Sequence, residues 1–185
     1  PPSGLSIVFP ANDYKTNVNP PLGLNVTFAA DSDGDSITIN YYINGKKNDS
    51  TAFNTTFNAT DGVYKLNVSI TDATDHSANQ TINFTIDTVK PIVNATLNKS
   101  LASIGQKDVI NLTANATDET GLSFGQIIVN DTGIKRIFNF SLGDGKTATF
   151  SQNITLNLAK GDVVNFTARV NDTSNNFRTN DTIIT

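Results

Sequence analysis

The chain has 185 residues, room for one or two domains, and it contains no cysteine, methionine or tryptophan. Charged residues make up 16% and the net charge is −4, which argues against a nucleic-acid partner and against a disordered polyelectrolyte. No apolar run approaches the ~20 residues of a bilayer-spanning helix, and with no cysteine any stability must come from packing rather than disulfides. A chain that begins at Pro1 and has no methionine reads as a processed or trimmed segment, with any signal peptide or anchor outside it.

Taken in order, Leu5, Ile7 and Phe9 alternate ahead of Pro10 and predict a first strand. Residues 11–21 form a polar loop ending in proline. Leu22, Leu24, Val26, Phe28 and Ala30 share a face opposite Asn25 and Thr27, and Asp31-Ser32-Asp33-Gly34-Asp35 reads as a turn. Ile37, Ile39, Tyr41 and Ile43 make the next inward face, closed by the hairpin signal Asn44-Gly45. Phe53, Thr55 and Phe57 continue. From Gly62, Tyr64, Leu66, Val68 and Ile70 alternate with polar residues, a polar loop spans 72–79, and Ile82, Phe84 and Ile86 alternate again. Two such runs with turn residues between them predict an antiparallel hairpin with one buried face.

The same phrase recurs from Gly161 to the end of the chain, so two copies of one β unit are expected, 1–88 and 89–185, joined at Val89-Lys90-Pro91. The second copy starts at Ile92. Its runs are Ile110 to Ala116, Ile127 to Val129, Phe138 to Leu142, Phe150 to Leu158, Val164 to Val170 and a short last strand, 182–185, with a hairpin turn at Asp144-Gly145. No segment keeps a helical period. About seven short strands per unit predict an all-β fold, two tandem immunoglobulin-like β-sandwiches.

Asp61-Gly62-Val63-Tyr64 through Thr71-Asp72-Ala73 to Ile86-Asp87-Thr88, together with Leu24 to Ala30 and the Asp31–Asp35 turn, resembles the bacterial and archaeal immunoglobulin-like repeats (Big/PKD-like) of cell-surface proteins. The likeness covers nearly the whole chain. It implies sandwich domains on the cell surface, with Tyr64 as a tyrosine corner. The chain departs from the pattern in the last loop of the first unit, His76-Ser77-Ala78-Asn79, and in the second unit, where Gly161-Asp162-Val163-Val164 carries no tyrosine.

The strongest chemical signal is Asn-X-Ser/Thr. Seventeen of 25 asparagines stand in this sequon with X never proline, against about five expected by chance. They are Asn25, Asn48, Asn54, Asn58, Asn67, Asn79, Asn83, Asn94, Asn98, Asn111, Asn115, Asn130, Asn139, Asn153, Asn165, Asn171 and Asn180. A strand whose outer face is Asn and Thr produces the sequon automatically, because residues i and i+2 share a face. But asparagine is a poor strand former, and a single glutamate, Glu119, occurs where charged residues would solvate the face equally well. The expectation is therefore covalent N-linked glycans on outer faces and loops.

Motifs for catalysis are thin, and the chain is read as a non-enzyme. Gly121-Leu122-Ser123-Phe124-Gly125 matches a nucleophile elbow, which needs a strand–turn–helix setting and a histidine. No helical pattern follows it, and the one histidine, His76, lies in the other unit. Gly145-Lys146-Thr147 resembles the tail of a phosphate loop, but Phe140 stands where the first glycine belongs. Asp31, Asp33 and Asp35 are a candidate Ca2+ set, since alternate carboxylates around a glycine can converge on a hard cation. Tyr14 and Tyr42 are expected as lone exposed aromatics and Tyr41 as core. The composition suits a structural subunit of an extracellular filament, pilus-like thread or surface layer, archaeal in character and self-associating head to tail. Strand donation by Leu5, Ile7 and Phe9 into a neighbour's sheet would be its means of joining. A repeat pair of a cell-surface adhesin and an accessory module of a secreted carbohydrate-active enzyme are the alternatives.

Overall fold

The computed structural model describes residues 2–51, 54–74, 77–131, 133–159 and 161–184, with side chains to residue 181. Phe53, His76 and Thr185, named above, lie outside the described residues, as do the side chains of 182–184. The chain divides into two compact units, Pro1–Thr88 and Val89–Thr185. Both are all-β sandwiches. Among the described residues there is no α-helix, only a 3-10 turn at Leu101–Ser103.

Unit 1 contains β1 (Ser3–Phe9), β2 (Tyr14–Thr16), β3 (Leu22–Ala29), β4 (Thr38–Ile43), β5 (Lys46–Thr51), β6 (Thr55–Phe57), β7 (Gly62–Thr71) and β8 (Ser77–Ile86). They form one sheet in the order β2-β8-β7-β4-β5 and another in the order β1-β3-β6. The alternating apolar residues of both sheets meet in one core, with Leu24 from β3, Ile39 and Tyr41 from β4, Leu66, Val68 and Ile70 from β7 and Ile86 from β8 all at most 1% exposed. The alternation thus does what period two requires, sending every second side chain to the dry face. The Asn44-Gly45 hairpin forms as expected. Both residues sit at positive φ, 49° and 79°, the twist that a two-residue turn between antiparallel strands needs.

Unit 2 contains β9 (Ile92–Leu97), β10 (Val109–Thr117), β11 (Leu122–Asp131), β12 (Ile134–Ser141), β13 (Thr147–Thr155), β14 (Val164–Asp172) and β15 (Phe177–Ile184). Its sheets run β12-β11-β14-β15 and β13-β10-β9. Apart from β2, which has no counterpart among the described residues, this repeats unit 1: β15, β14, β11 and β12 take the places of β8, β7, β4 and β5, and β9, β10 and β13 those of β1, β3 and β6. Ile110, Leu112, Leu122, Ile127, Val129, Phe166 and Val170 fill the core. A half-buried ion pair closes one end: Arg136 Nη2 lies 2.7 Å from Oδ2 of the buried Asp131, and its Nη1 donates to the Thr155 carbonyl at 3.0 Å. Arg136 so ties the β11–β12 hairpin to the end of β13 in the other sheet.

Three expectations need correcting. The polar loop 11–21 contains β2, which pairs parallel with β8, Tyr14 opposite Phe84. Its alternation is too short to read. Residues 46–51 form β5, missed because a strand at the sheet margin with Lys46, Lys47, Asn48 and Asp49 has no apolar face to reveal it. The turn near Asp144 is not a hairpin. Gly143 and Asp144 hold positive φ, 68° and 61°, but β12 pairs with β11 and β13 with β10, so the turn carries the chain from one sheet to the other.

Candidate functional site

None of the 17 sequon asparagines is buried; 12 are exposed and Asn67, Asn111, Asn165, Asn171 and Asn180 are half-buried. Strand pleating explains this, since the X residues of the strand sequons, such as Val26, Phe84, Leu112 and Phe166, point into the core and carry the flanking Asn and Thr outward. Several carboxamides are tied to their neighbours. Asn67 Nδ2 donates to Thr81 Oγ1 at 2.8 Å, Asn111 Nδ2 to Asn153 Oδ1 at 2.8 Å, and Asn48 Nδ2 to the Thr56 carbonyl at 3.2 Å. Thr113 and Thr167 hydroxyls donate to Asn111 and Asn165 Oδ1, at 2.8 Å and 3.1 Å, linking first and third residues of one sequon. Asn171 is the exception in kind: its Oδ1 is buried with no hydrogen-bond partner.

Two half-buried carboxylates beside this surface are held below the ordinary carboxylate range. For Asp49 the chief cause is the hydrogen bond from Thr55 Oγ1, with the Ser50 N–H and the Lys47 charge adding to it. For Asp108 the chief cause is Lys99, whose Nζ lies 2.9 Å from Oδ1, followed by the Gly105 N–H. Burial, and secondarily the Asp49 charge, pushes the Tyr41 hydroxyl up. Tyr41 is core, as expected, with 0% exposure.

The acidic turn takes a different shape from the one its sequence suggests. Asp31, Asp35 and Asp72 bring carboxylate oxygens within 4.8 Å of one another. Asp33 is exposed at the turn, and its N–H donates to Asp31 Oδ1 at 3.1 Å. Asp72 comes from the β7–β8 connection, where its Oδ1 accepts the Thr74 N–H at 2.9 Å. Unit 2 repeats the pattern. Asp118 Oδ1 accepts the Thr120 N–H at 2.8 Å, Asp172 Oδ1 accepts the Ser174 N–H at 2.8 Å, and the carboxylates of Asp118 and Asp172 also lie within 4.8 Å. A readable signal for Asp72 exists: Thr71-Asp72-Ala73-Thr74 and Asn171-Asp172-Thr173-Ser174 both place an acid two residues before a backbone N–H it can cap.

Ser123 lies on β11, not on a strand–helix elbow, and its hydroxyl donates to the Asp172 carbonyl at 2.6 Å. The two glycines around it have structural reasons. Gly121 holds φ at 118°, and a Cβ there would stand 2.5 Å from the Asp144 carbonyl oxygen; a Cβ on Gly125 would stand 2.8 Å from the Phe150 ring. The tyrosines expected as lone exposed aromatics are half-buried, with Tyr14 packed edge-on against Phe9 at 5.0 Å. The aromatic that is more open is Phe177, 46% exposed, with the Arg169 guanidinium 4.4 Å and Lys90 Nζ 5.7 Å from its ring centre. Sequence alone did not single it out, because nothing in a one-dimensional pattern puts Arg169 across from it. Leu5, Ile7 and Phe9 sit on β1, which pairs antiparallel with β3 of its own unit through a register broken twice; Ile7 reaches the core at 8% exposure.

These features define a pair of tandem immunoglobulin-like sandwiches whose outer faces are rich in asparagine and threonine. No protein-family model matches the chain, and no curated protein sequence matches it. Among solved structures, the fibronectin(III)-like modules of Clostridium thermocellum CbhA are similar over 98% of this chain and 93% of theirs, with a TM-score of 0.57 and 12% identity. That likeness establishes the β-sandwich fold and nothing more. SGBP-B of the Bacteroides ovatus mixed-linkage glucan utilization locus, solved with a mixed-linkage heptasaccharide, matches 99% of this chain and 47% of its own at a TM-score of 0.36 and 11% identity, too distant to argue from. Among the described residues no helix is long and apolar enough to cross a membrane.

Proposed function

We propose that this chain is a non-catalytic, N-glycosylated repeat pair of an extracellular or cell-surface protein, a spacer that holds sugar outward on a β scaffold. The observation that carries the reading is the placement of the sequons: seventeen where about five are expected, and not one buried. Ser123, the nearest thing to a nucleophile, has its hydroxyl on a backbone carbonyl. That supports a structural role for the Gly-X-Ser-X-Gly stretch. Glycans over the outer faces also shield the backbone at sheet margins from pairing with other chains. Intact mass of protein from its own host tests the reading: it exceeds the 19.8 kDa polypeptide by many hexose-sized increments. A bare polypeptide mass removes it.

A second reading, a self-associating filament subunit, draws support from β1. This strand is at the margin of its sheet and its pairing with β3 is interrupted between Ser3 and Ser6 and again between Ile7 and Phe9. Such a strand is the easiest to exchange for a neighbour's. A chain lacking residues 1–10 that stays folded but no longer assembles supports donation, whereas loss of unit 1 shows that β1 serves its own core. The cation expectation passes from Asp31, Asp33 and Asp35 to Asp31, Asp35 and Asp72, a set of hard oxygen ligands suited to Ca2+. Calorimetric titration with Ca2+, and melting before and after chelation, test it; no heat and no shift dismiss it.

A further inference from the structure

Cross-strand register sorts the sequons into those that stand alone and those that face another, and from it we infer that three asparagine pairs each carry one N-linked glycan and never two. The inference rests on the glycan coat proposed above and adds where on the coat sugar is placed. In the ladders of unit 2, Asn94 on β9 is directly opposite Asn115 on β10, Asn111 on β10 is opposite Asn153 on β13, and Asn130 on β11 is opposite Asn165 on β14. Residues directly opposite in an antiparallel ladder point to the same side of the sheet with Cβ atoms only about 5 Å apart. The Asn111–Asn153 hydrogen bond at 2.8 Å shows two of these carboxamides in contact.

The modification is a group transfer. Asparagine Nδ2 attacks the anomeric carbon of a lipid-diphosphate-linked oligosaccharide. The Nδ2–C1 bond forms, the bond from C1 to the phosphate oxygen breaks, lipid diphosphate leaves, and one Nδ2 proton passes to a base of the transferring enzyme. A pyranose so attached, with its hydroxyls and the next sugars, spreads over more than the ~5 Å between the paired stems. It therefore covers the partner's carboxamide, and the second transfer has neither a reachable Nδ2 nor space for its product.

The structure also names the modified member of each pair. Asn153 is exposed on the outer strand β13, while Asn111 is half-buried on the central strand β10 and already donates its Nδ2. Asn130 is exposed; Asn165 is half-buried on β14, which lies between β11 and β15. Asn94 lies on the outer strand β9, whereas Asn115 stands between Asn94 and Thr149, whose hydroxyl donates to its Oδ1 at 2.8 Å. Sugar belongs on Asn94, Asn130 and Asn153; Asn111, Asn115 and Asn165 stay bare.

Site-resolved glycopeptide mass spectrometry on the full chain from its native host tests this, with Asn83, which faces Lys65, as the unpaired control. The expected result is that the two occupancies within each pair sum to no more than one, with the larger share on Asn94, Asn130 and Asn153. In N153Q and N130Q chains made in the same host, Asn111 and Asn165 go from bare to occupied, because the covering sugar is gone. Occupancies that sum well above one within a pair, or partners that stay bare in the variants, overturn the inference while leaving the glycan coat standing. Bare asparagines everywhere, Asn83 included, remove both.

Discussion

Gly125 shows how a single residue can look like chemistry and be packing. It closes a Gly-X-Ser-X-Gly motif, yet it lies mid-strand with the Phe150 ring pressed where its side chain would be. Phe150 cannot swing away freely, since it is 6% exposed and packed on Phe140 at 4.9 Å. G125A is therefore expected to destabilise the protein by about 1–3 kcal/mol, the usual cost of overpacking, read as a lower urea midpoint. An unchanged midpoint would show that the ring yields at no cost. Charge offers a second test at this scale. Lys99 holds Asp108 below the ordinary carboxylate range. A carboxylate with a lowered folded-state pKa contributes stability that is present above its unfolded value, about 3.9, and lost as pH falls through the folded value. In K99A the Asp108 titration, followed by NMR, is expected to move up toward the ordinary range, and the contribution to be lost at a higher pH. A titration identical to that of the parent chain contradicts the assignment. Residue identity alone pointed to Asp31, Asp33 and Asp35 but not to Asp72, because Asp72 belongs to a different connection, far along the chain from that turn, and only folding brings it beside Asp31 and Asp35.

At the scale of the element, the β7–β8 hairpin is where local pattern and tertiary contact agree best. Its alternation is legible, its register runs unbroken from Gly62–Ile86 to Thr71–Ser77, and the expected tyrosine corner is present. Tyr64 donates its hydroxyl to the Thr60 carbonyl at 2.7 Å, stacks on Phe84 at 5.5 Å and meets Phe57 edge-on at 5.0 Å. Y64F keeps the ring contacts and removes the hydrogen bond, so a loss of about 1 kcal/mol is expected with an unchanged m-value. No loss would mean that the hydroxyl is equally well served by water. The elements that escaped sequence reading share a physical cause. β2 is three residues long, and β5 is polar on both faces. Alternation reveals a strand only where one face is dry over several residues, so a short strand or a margin strand leaves little trace.

For the molecule as a whole, the repeated strand order in both units makes the chain a duplication in architecture, although only the first copy keeps the tyrosine. Because no sequon asparagine contributes to either core, the fold is expected to form without the proposed glycans. The chain made in a host that lacks N-glycosylation is expected to give the same all-β far-ultraviolet circular dichroism as protein from its own host. Loss of that signal would mean that glycans take part in folding. The amino-acid sequence by itself determined the all-β class, most of the strands, the turn at Asn44-Gly45 and the outward placement of the sequons, since all of these follow from period-two alternation and turn residues, which act within a few residues. The tertiary structure alone decided that the Asp144 turn crosses between sheets, that β2 joins β8, that Asp72 completes the acidic group, and that Asn111 faces Asn153. Each of these is a contact between segments far apart in the chain, set by which strands share a ladder, and a pattern with a period of two is silent about its partner.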